Sequence, residues 1–351
     1  MVKRVLLVLN QTAGTGHSGP DAGRLQATLA RILGSGVDLH TKLVTDHQQA
    51  KACAQHFLSA SDTPGAIIAG GGSGTLRAVI EGVCAGCTPG GLPGRERVRL
   101  AALRMGSGNV VAKYFGVPLD AAEAVQSIAA NLLADRVAPL RVINCLVGKA
   151  GGGVEILFAA TMCGLGQFGR SSGDLARWRY RLARLRRAAT CLLKIETLND
   201  LEYRLAVLIR SFRCVVRPGV CELIEVQAQG KKQSLRLLAG VALNVPIRSL
   251  PPEWQACPEN AALSLYVIPF PGRFKSLWMA LAPGRLVRCA RKITVGPGES
   301  AEMRFTEPES VEFFLDEDPE TAYQLMTIRL AGTLAFVPGL GYAGPGSWSP
   351  S

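Results

Sequence analysis

Ala66-Ile67-Ile68-Ala69-Gly70-Gly71-Gly72-Ser73-Gly74-Thr75-Leu76 decides how the rest of this chain is read. It opens as a short apolar run, the pattern of a strand buried on both faces. It then breaks into three glycines, a serine and a fourth glycine. Beyond Thr75, the residues Leu76, Val79, Ile80 and Val83 recur at helical spacing. The order is strand, glycine-rich turn, helix. Such a turn brings the backbone close to a ligand and aims the free N–H groups of a helix N-terminus at it, most often at a phosphate. A tight turn with no ligand has the same sequence, so this segment alone leaves both readings open.

A second element of the type follows. Val98 to Met105 is an apolar run that enters Gly106-Ser107-Gly108-Asn109 and then a helical Val110-Val111-Ala112. A weaker third stands near the start, where Arg4 to Leu9 runs into Asn10-Gln11-Thr12-Ala13-Gly14. Three strand-to-turn junctions in one α/β region are expected to open at the carboxyl edge of one parallel sheet, where such sheets bind ligands.

These three stretches resemble the nucleotide-binding motifs of the diacylglycerol kinase / sphingosine kinase catalytic family, in the same order. The middle one departs from the family's Gly-Gly-Asp-Gly-Thr, because Ser73 stands where the aspartate would be. The family often has Glu three residues past the motif Thr, and here Ala78 stands there. The Gly-Ser-Gly-Asn element favours the lipid kinases over NAD kinases, which share Gly-Gly-Asp-Gly.

The chain has 351 residues, 48% of them apolar and 19% charged, enough to bury a substantial core. Its net charge of +12 suits anionic partners, namely nucleotide phosphates, an acidic membrane surface or nucleic acid. No helix-turn-helix, zinc finger or RNA-binding aromatic motif supports nucleic acid. The ten cysteines are scattered and include one CxxC, Cys84 to Cys87, which without a second pair reads as ordinary thiols. That scatter fits a cytoplasmic protein. No window of about twenty residues is uniformly apolar, so no span is expected.

Alternating strands and helices run from residue 3 to Leu133, with helices over Asp21–Leu33, His47–Ser59 and Leu119–Leu133. The texture changes near Arg136. Strand-like runs follow at Leu140–Val147, Val154–Ala160, Arg213–Val216, Leu223–Gln227, Leu235–Asn244 and Ala262–Ile268. The expected fold class is α/β plus all-β: a doubly wound parallel-sheet domain at 1–136 and an antiparallel β-sandwich at 137–338, with a cleft between them. Residues 339–351 read as a loose tail. Within the second part, 175–195 carries six arginines and no acid, with Leu175, Trp178, Leu182, Leu185 and Leu192 at helical spacing. It reads as a basic amphipathic helix, either lying on an anionic membrane or packed on its own domain with a solvated arginine face.

The resemblance implies ATP and Mg²⁺ as cofactors and a lipid hydroxyl as phosphate acceptor. It implies a nucleotide site built from Asn10, Thr12, Thr45, Gly71, Gly72, Gly74, Thr75, Gly106, Ser107, Gly108 and Asn109. The family's late Asp-Gly-Glu, whose glutamate is a proposed general base, corresponds to Asp316-Glu317-Asp318. Counting back from Pro338 favours Glu317 as the base, and matching the leading Asp favours Asp318. Those two with Ser73 make the candidate catalytic set, and Asp316 is the candidate metal ligand. The bare residues also read as an acidic turn between strands. Cys163-Gly164-Leu165-Gly166-Gln167-Phe168-Gly169 matches a family glycine motif expected to line the cleft. Three functions remain open at this stage: a lipid kinase, a degenerate relative that binds nucleotide without transfer, and a kinase for a non-lipid hydroxyl.

Overall fold

The computed structural model describes residues 2–13, 21–85, 97–106, 109–181, 209, 212–213, 221–246, 254, 256, 262–272, 274–275, 278, 288–307, 310–316 and 318–344. The first part alternates β1 (Arg4–Asn10), α1 (Ala22–Leu33), β2 (Asp38–Val44), α2 (His47–Ser59), β3 (Gly65–Gly71), α3 (Ser73–Val83), β4 (Val98–Arg104), α4 (Val110–Tyr114) and α5 (Ala121–Leu133). Its strands lie parallel in the order β2-β1-β3-β4. Every residue of β3 is buried, as a central parallel strand with both faces covered requires.

Local chemistry sets the helix ends. Asp21, Asp46 and Asp120 cap α1, α2 and α5, their carboxylates accepting backbone N–H bonds of the first turn. Helix α3 differs. It starts on Gly72 with no side-chain cap, so its first N–H groups are left for something else.

An antiparallel region follows, made of β5 (Ala138–Gly148), β6 (Val154–Ala159), β7 (Met162–Gly166), α6 (Gln167–Arg181), β8 (Glu222–Ala228), β9 (Lys231–Leu243), β10 (Leu263–Pro269), β11 (Arg291–Val295), β12 (Ser300–Glu307), β13 (Ser310–Leu315), β14 (Asp318–Tyr323) and β15 (Leu325–Phe336). These strands enclose a core of their own that includes Ile143, Cys163, Ile224, Leu265, Phe313 and Met326. The first part has a separate core built on β1, β3 and β4. Strand β15 joins the two, pairing with β5 along its length and, at Ala335 and Phe336, in parallel with β4.

Four expectations are corrected here. Residues 339–344 are not loose: the Gly339 N–H donates to the Phe115 carbonyl, the Leu340 N–H to the Ser127 hydroxyl, and Tyr342 packs on Tyr114 and Phe115. Arg213, expected to open a strand, is helical, while 214–216 lie outside the described residues. The acidic turn is in part a strand, because Asp318 begins β14. Pro319 is tolerated there because β14 pairs with β13 alone and so forms an edge. The basic helix begins earlier than expected, as α6 from Gln167, and 182–195 lie outside the described residues. Among the described residues no helix is long and apolar enough to cross a membrane.

Candidate active site

The parallel register puts Leu9 beside Gly70, and Gly71 beside Arg104. The turns after β1, β3 and β4 therefore open side by side at one sheet edge, as read from the sequence. A cavity of about 660 Å³ lies there, lined by Asn10, Thr12 and Thr45, by Gly72 to Thr75 and Gly106, and by Asp318 and Glu320 from β14. Asp46, His47, Lys51, Arg77, Glu81, Lys149 and Glu155 complete its charged lining.

The glycines are required by close approach. A Cβ on Gly106 would run into the Cα of Gly72, and one on Gly71 would run into the Thr75 side chain. A Cβ on Gly74 would stand 3.0 Å from a carboxylate oxygen of Asp318, so the start of α3 faces that acid directly. Asn10 holds the turns in place. Its Nδ2 donates to the Thr75 hydroxyl at 3.0 Å, and its Oδ1 accepts from the Thr12 backbone at 2.9 Å. The Thr12 hydroxyl reaches the Asn10 Oδ1 at 2.7 Å and the Thr45 carbonyl at 3.1 Å. Because Thr75 accepts from Asn10, its own O–H proton is left to donate into the cavity.

Asn109 does not line the cavity. It sits in the left-handed region at φ 51°, where Asn is among the tolerated residues, and its amide closes a ring on Gly106. Gly71 likewise lies behind the lining. Ser107, Gly108 and Glu317 lie outside the described residues.

The expected metal ligand is misplaced. Asp316 is 2% exposed, and its two oxygens accept N–H bonds from Ala160 (2.6 Å), Thr161 (2.7 Å) and Met162 (3.0 Å). It anchors the β13–β14 hairpin to β6 and β7 and has no part in the lining. Asp316→Asn replaces one acceptor oxygen with an N–H₂ that faces donors. It is expected to cost about 2–3 kcal/mol in urea denaturation. The Cys163 to Gly169 stretch is also displaced from the cleft: Gly164 accommodates the Phe314 ring and Gly169 lies on the β13 backbone.

The feature that the sequence reading missed is Arg77. It lies in α3, is 2% exposed, and meets three carboxylates: Glu81 at 3.0 Å, Asp318 at 3.4 Å and Glu320 at 2.5 Å. Glu81 is also bonded by His47 at 3.0 Å and Lys51 at 3.2 Å. Asp318 and Glu320 reach the same guanidinium because residues two apart on a strand share a face. One signal was available, the Arg77/Glu81 spacing of four within a helix.

Burial alone pushes the Glu81 carboxyl up. The His47 hydrogen bond and the charges of Arg77, His47 and Lys51 outweigh it and hold the group at about 2. Burial raises the Asp318 carboxyl, and this outweighs the opposing pull of Arg77 and His47. A depressed acid stabilises the fold above its unfolded value of 4.5 and loses that contribution as pH falls toward 2. Glu81→Gln is therefore expected to remove about 3 kcal/mol of pH-dependent stability across that window. Urea denaturation at pH 6 and pH 3 checks this, with the wild type losing more of its stability than the variant.

Residues 4–138 match the family model of the diacylglycerol kinase catalytic domain. Over those residues the chain is similar to the diacylglycerol kinase catalytic domain family. The fold agrees beyond the match. A diacylglycerol kinase from Bacillus anthracis str. Sterne is 16% identical, with 97% of this chain and 98% of that one covered and a TM-score of 0.60. A second chain from that organism, assigned to the same class, is 17% identical over 96% of this chain and 98% of its own, at a TM-score of 0.63. No curated protein sequence matches this one.

The family implies ATP and Mg²⁺, and the two fare differently against these residues. The uncapped start of α3, the crowded glycines and the Thr75 hydroxyl are neutral donors at a helix N-terminus, which fits the phosphates of a nucleotide. A protein-held Mg²⁺ does not fit. Ser73 brings no charge, Asp316 is buried elsewhere, the acids of β14 are paired with Arg77, Glu155 is paired with Lys149, and Asp46 caps α2. Among the described residues no cluster of His, Cys, Asp and Glu is arranged to hold a metal.

Proposed function

We propose that this protein transfers the γ-phosphate of ATP to a hydroxyl of a lipid, of the diacylglycerol or sphingoid type. The observation that carries the reading is the position of Asp318, whose carboxylate faces the first turn of α3 across one cavity. Phosphates held by the N–H groups of Gly72 to Thr75 would present the terminal phosphorus to an acceptor hydroxyl at Asp318. The carboxylate takes the hydroxyl proton as the new P–O bond forms and ADP departs. Partial desolvation raises the Asp318 carboxyl, whose side chain is 41% exposed, and makes it a stronger base than a fully exposed aspartate. In this reading Asp318, first in its strand, is the base, and Glu317 lies outside the described residues.

Labelled-phosphate transfer from ATP to a panel of diacylglycerol, sphingoid base and glycerol tests this. Label in a lipid is expected, label in glycerol alone would move the acceptor to a soluble alcohol, and no label would refute transfer.

Two observations favour a second reading. Arg77 pairs with Asp318 and no acid stands at Ser73, as in a relative that binds nucleotide without transfer. Under that reading Ser73→Asp creates a transfer activity that the wild type lacks.

A further inference from the structure

The cavity contains a fixed cation at the point where a divalent one would have to gather its ligands. Arg77 bonds Glu81 through Nε, Asp318 and the Leu315 carbonyl through one terminal nitrogen, and Glu320 through the other. A guanidinium stays charged even when buried, and its planar fork meets several carboxylates at once. Lys51 and His47 from α2 add positive partners to this cluster, both on Glu81. A Mg²⁺ site needs oxygens free to close on the ion at about 2.0–2.1 Å in octahedral geometry. Here each acid already gives an oxygen to the guanidinium, which would repel an incoming cation.

We propose that Arg77 is a resident cation in place of a protein-held divalent metal, so that phosphate-bearing ligands enter this cavity without one. The proposal rests on the reading of the cavity as a phosphate site. It adds that chelation leaves binding intact and that the acids of β14 become metal ligands only once Arg77 is removed.

Two titrations of the full chain test this. In the first, Mn²⁺ alone is added and the free ion is followed by electron paramagnetic resonance. The expected result is no saturable site that depends on Asp318. A saturable site that Asp318→Asn or Glu320→Gln abolishes overturns the proposal, and a site that both substitutions leave unchanged lies outside the cluster and agrees with it. In the second, ATP is titrated in EDTA and again in excess Mg²⁺. The two dissociation constants are expected to agree within about threefold, and a Mg²⁺ requirement of about tenfold or more overturns the proposal. If ATP binds in neither buffer, the nucleotide reading fails and the Mn²⁺ titration still decides the claim about the metal. Arg77→Gln, where it folds, is expected to gain a Mn²⁺ site, and the wild-type titrations stand without it.

Discussion

Asp318→Asn lowers the rate of phosphate transfer by roughly 10²–10⁴-fold, the range of a general base, and leaves ATP affinity within about twofold. Asparagine has the same shape and no useful proton affinity, so the substitution removes the base and little else. The site tolerates the change: the Asp318 side chain is 41% exposed, and Arg77 keeps Glu81 and Glu320 as partners. The donors assigned to the phosphates lie on α3 and do not involve Asp318. Steady-state transfer and calorimetric ATP titration on the same preparations separate the two effects. A variant rate within tenfold of the wild type would remove Asp318 from the chemistry.

Arg77→Met destabilises the fold by about 3–5 kcal/mol, the cost of removing one partner from a buried ion cluster. Helix α3 is buried from Thr75 to Val83, so the methionine side chain takes the place of the guanidinium in a buried position beside these acids. The cost arises at Glu81, 3% exposed, and at Asp318 and Glu320, which lose a cation that links α3 to β14. Arg77→Lys recovers only part of it, because one ammonium does not span three carboxylates as a planar fork does. Urea denaturation measures both variants, and a loss below about 1 kcal/mol for Arg77→Met would show that the cluster contributes little.

The fold was legible because its signals are local. Alternating apolar runs and aspartate-capped helices fix the first part, and Gly70 to Thr75 mark the edge at which the turns converge. The donors proposed for the phosphates were read from the same glycines. The acids were harder to place because their roles depend on contacts distant in sequence. Asp316 and Asp318 are two residues apart in one acidic run, yet the hairpin turns one inward onto Ala160 to Met162 and the other toward Gly74. Pro319 disguised the strand that brings Glu320 alongside Asp318. Arg77 read as an ordinary helical residue because its burial comes from packing that no short window records. The first residues of the tail misled for a related reason: their Gly-rich composition suggests looseness, while Gly339 exploits its missing side chain to lie against Gly116.

The central claim is that nucleotide phosphates occupy the space between the start of α3 and Asp318. Calorimetric titration of the full chain with ATP, wild type against Gly74→Val, tests it most directly. The side chain added at Gly74 projects at Asp318 into that space. One ATP site is expected on the wild type, with a loss of affinity of about tenfold or more in a folded Gly74→Val chain. No ATP binding by the wild type, or equal affinity in the folded variant, would contradict it.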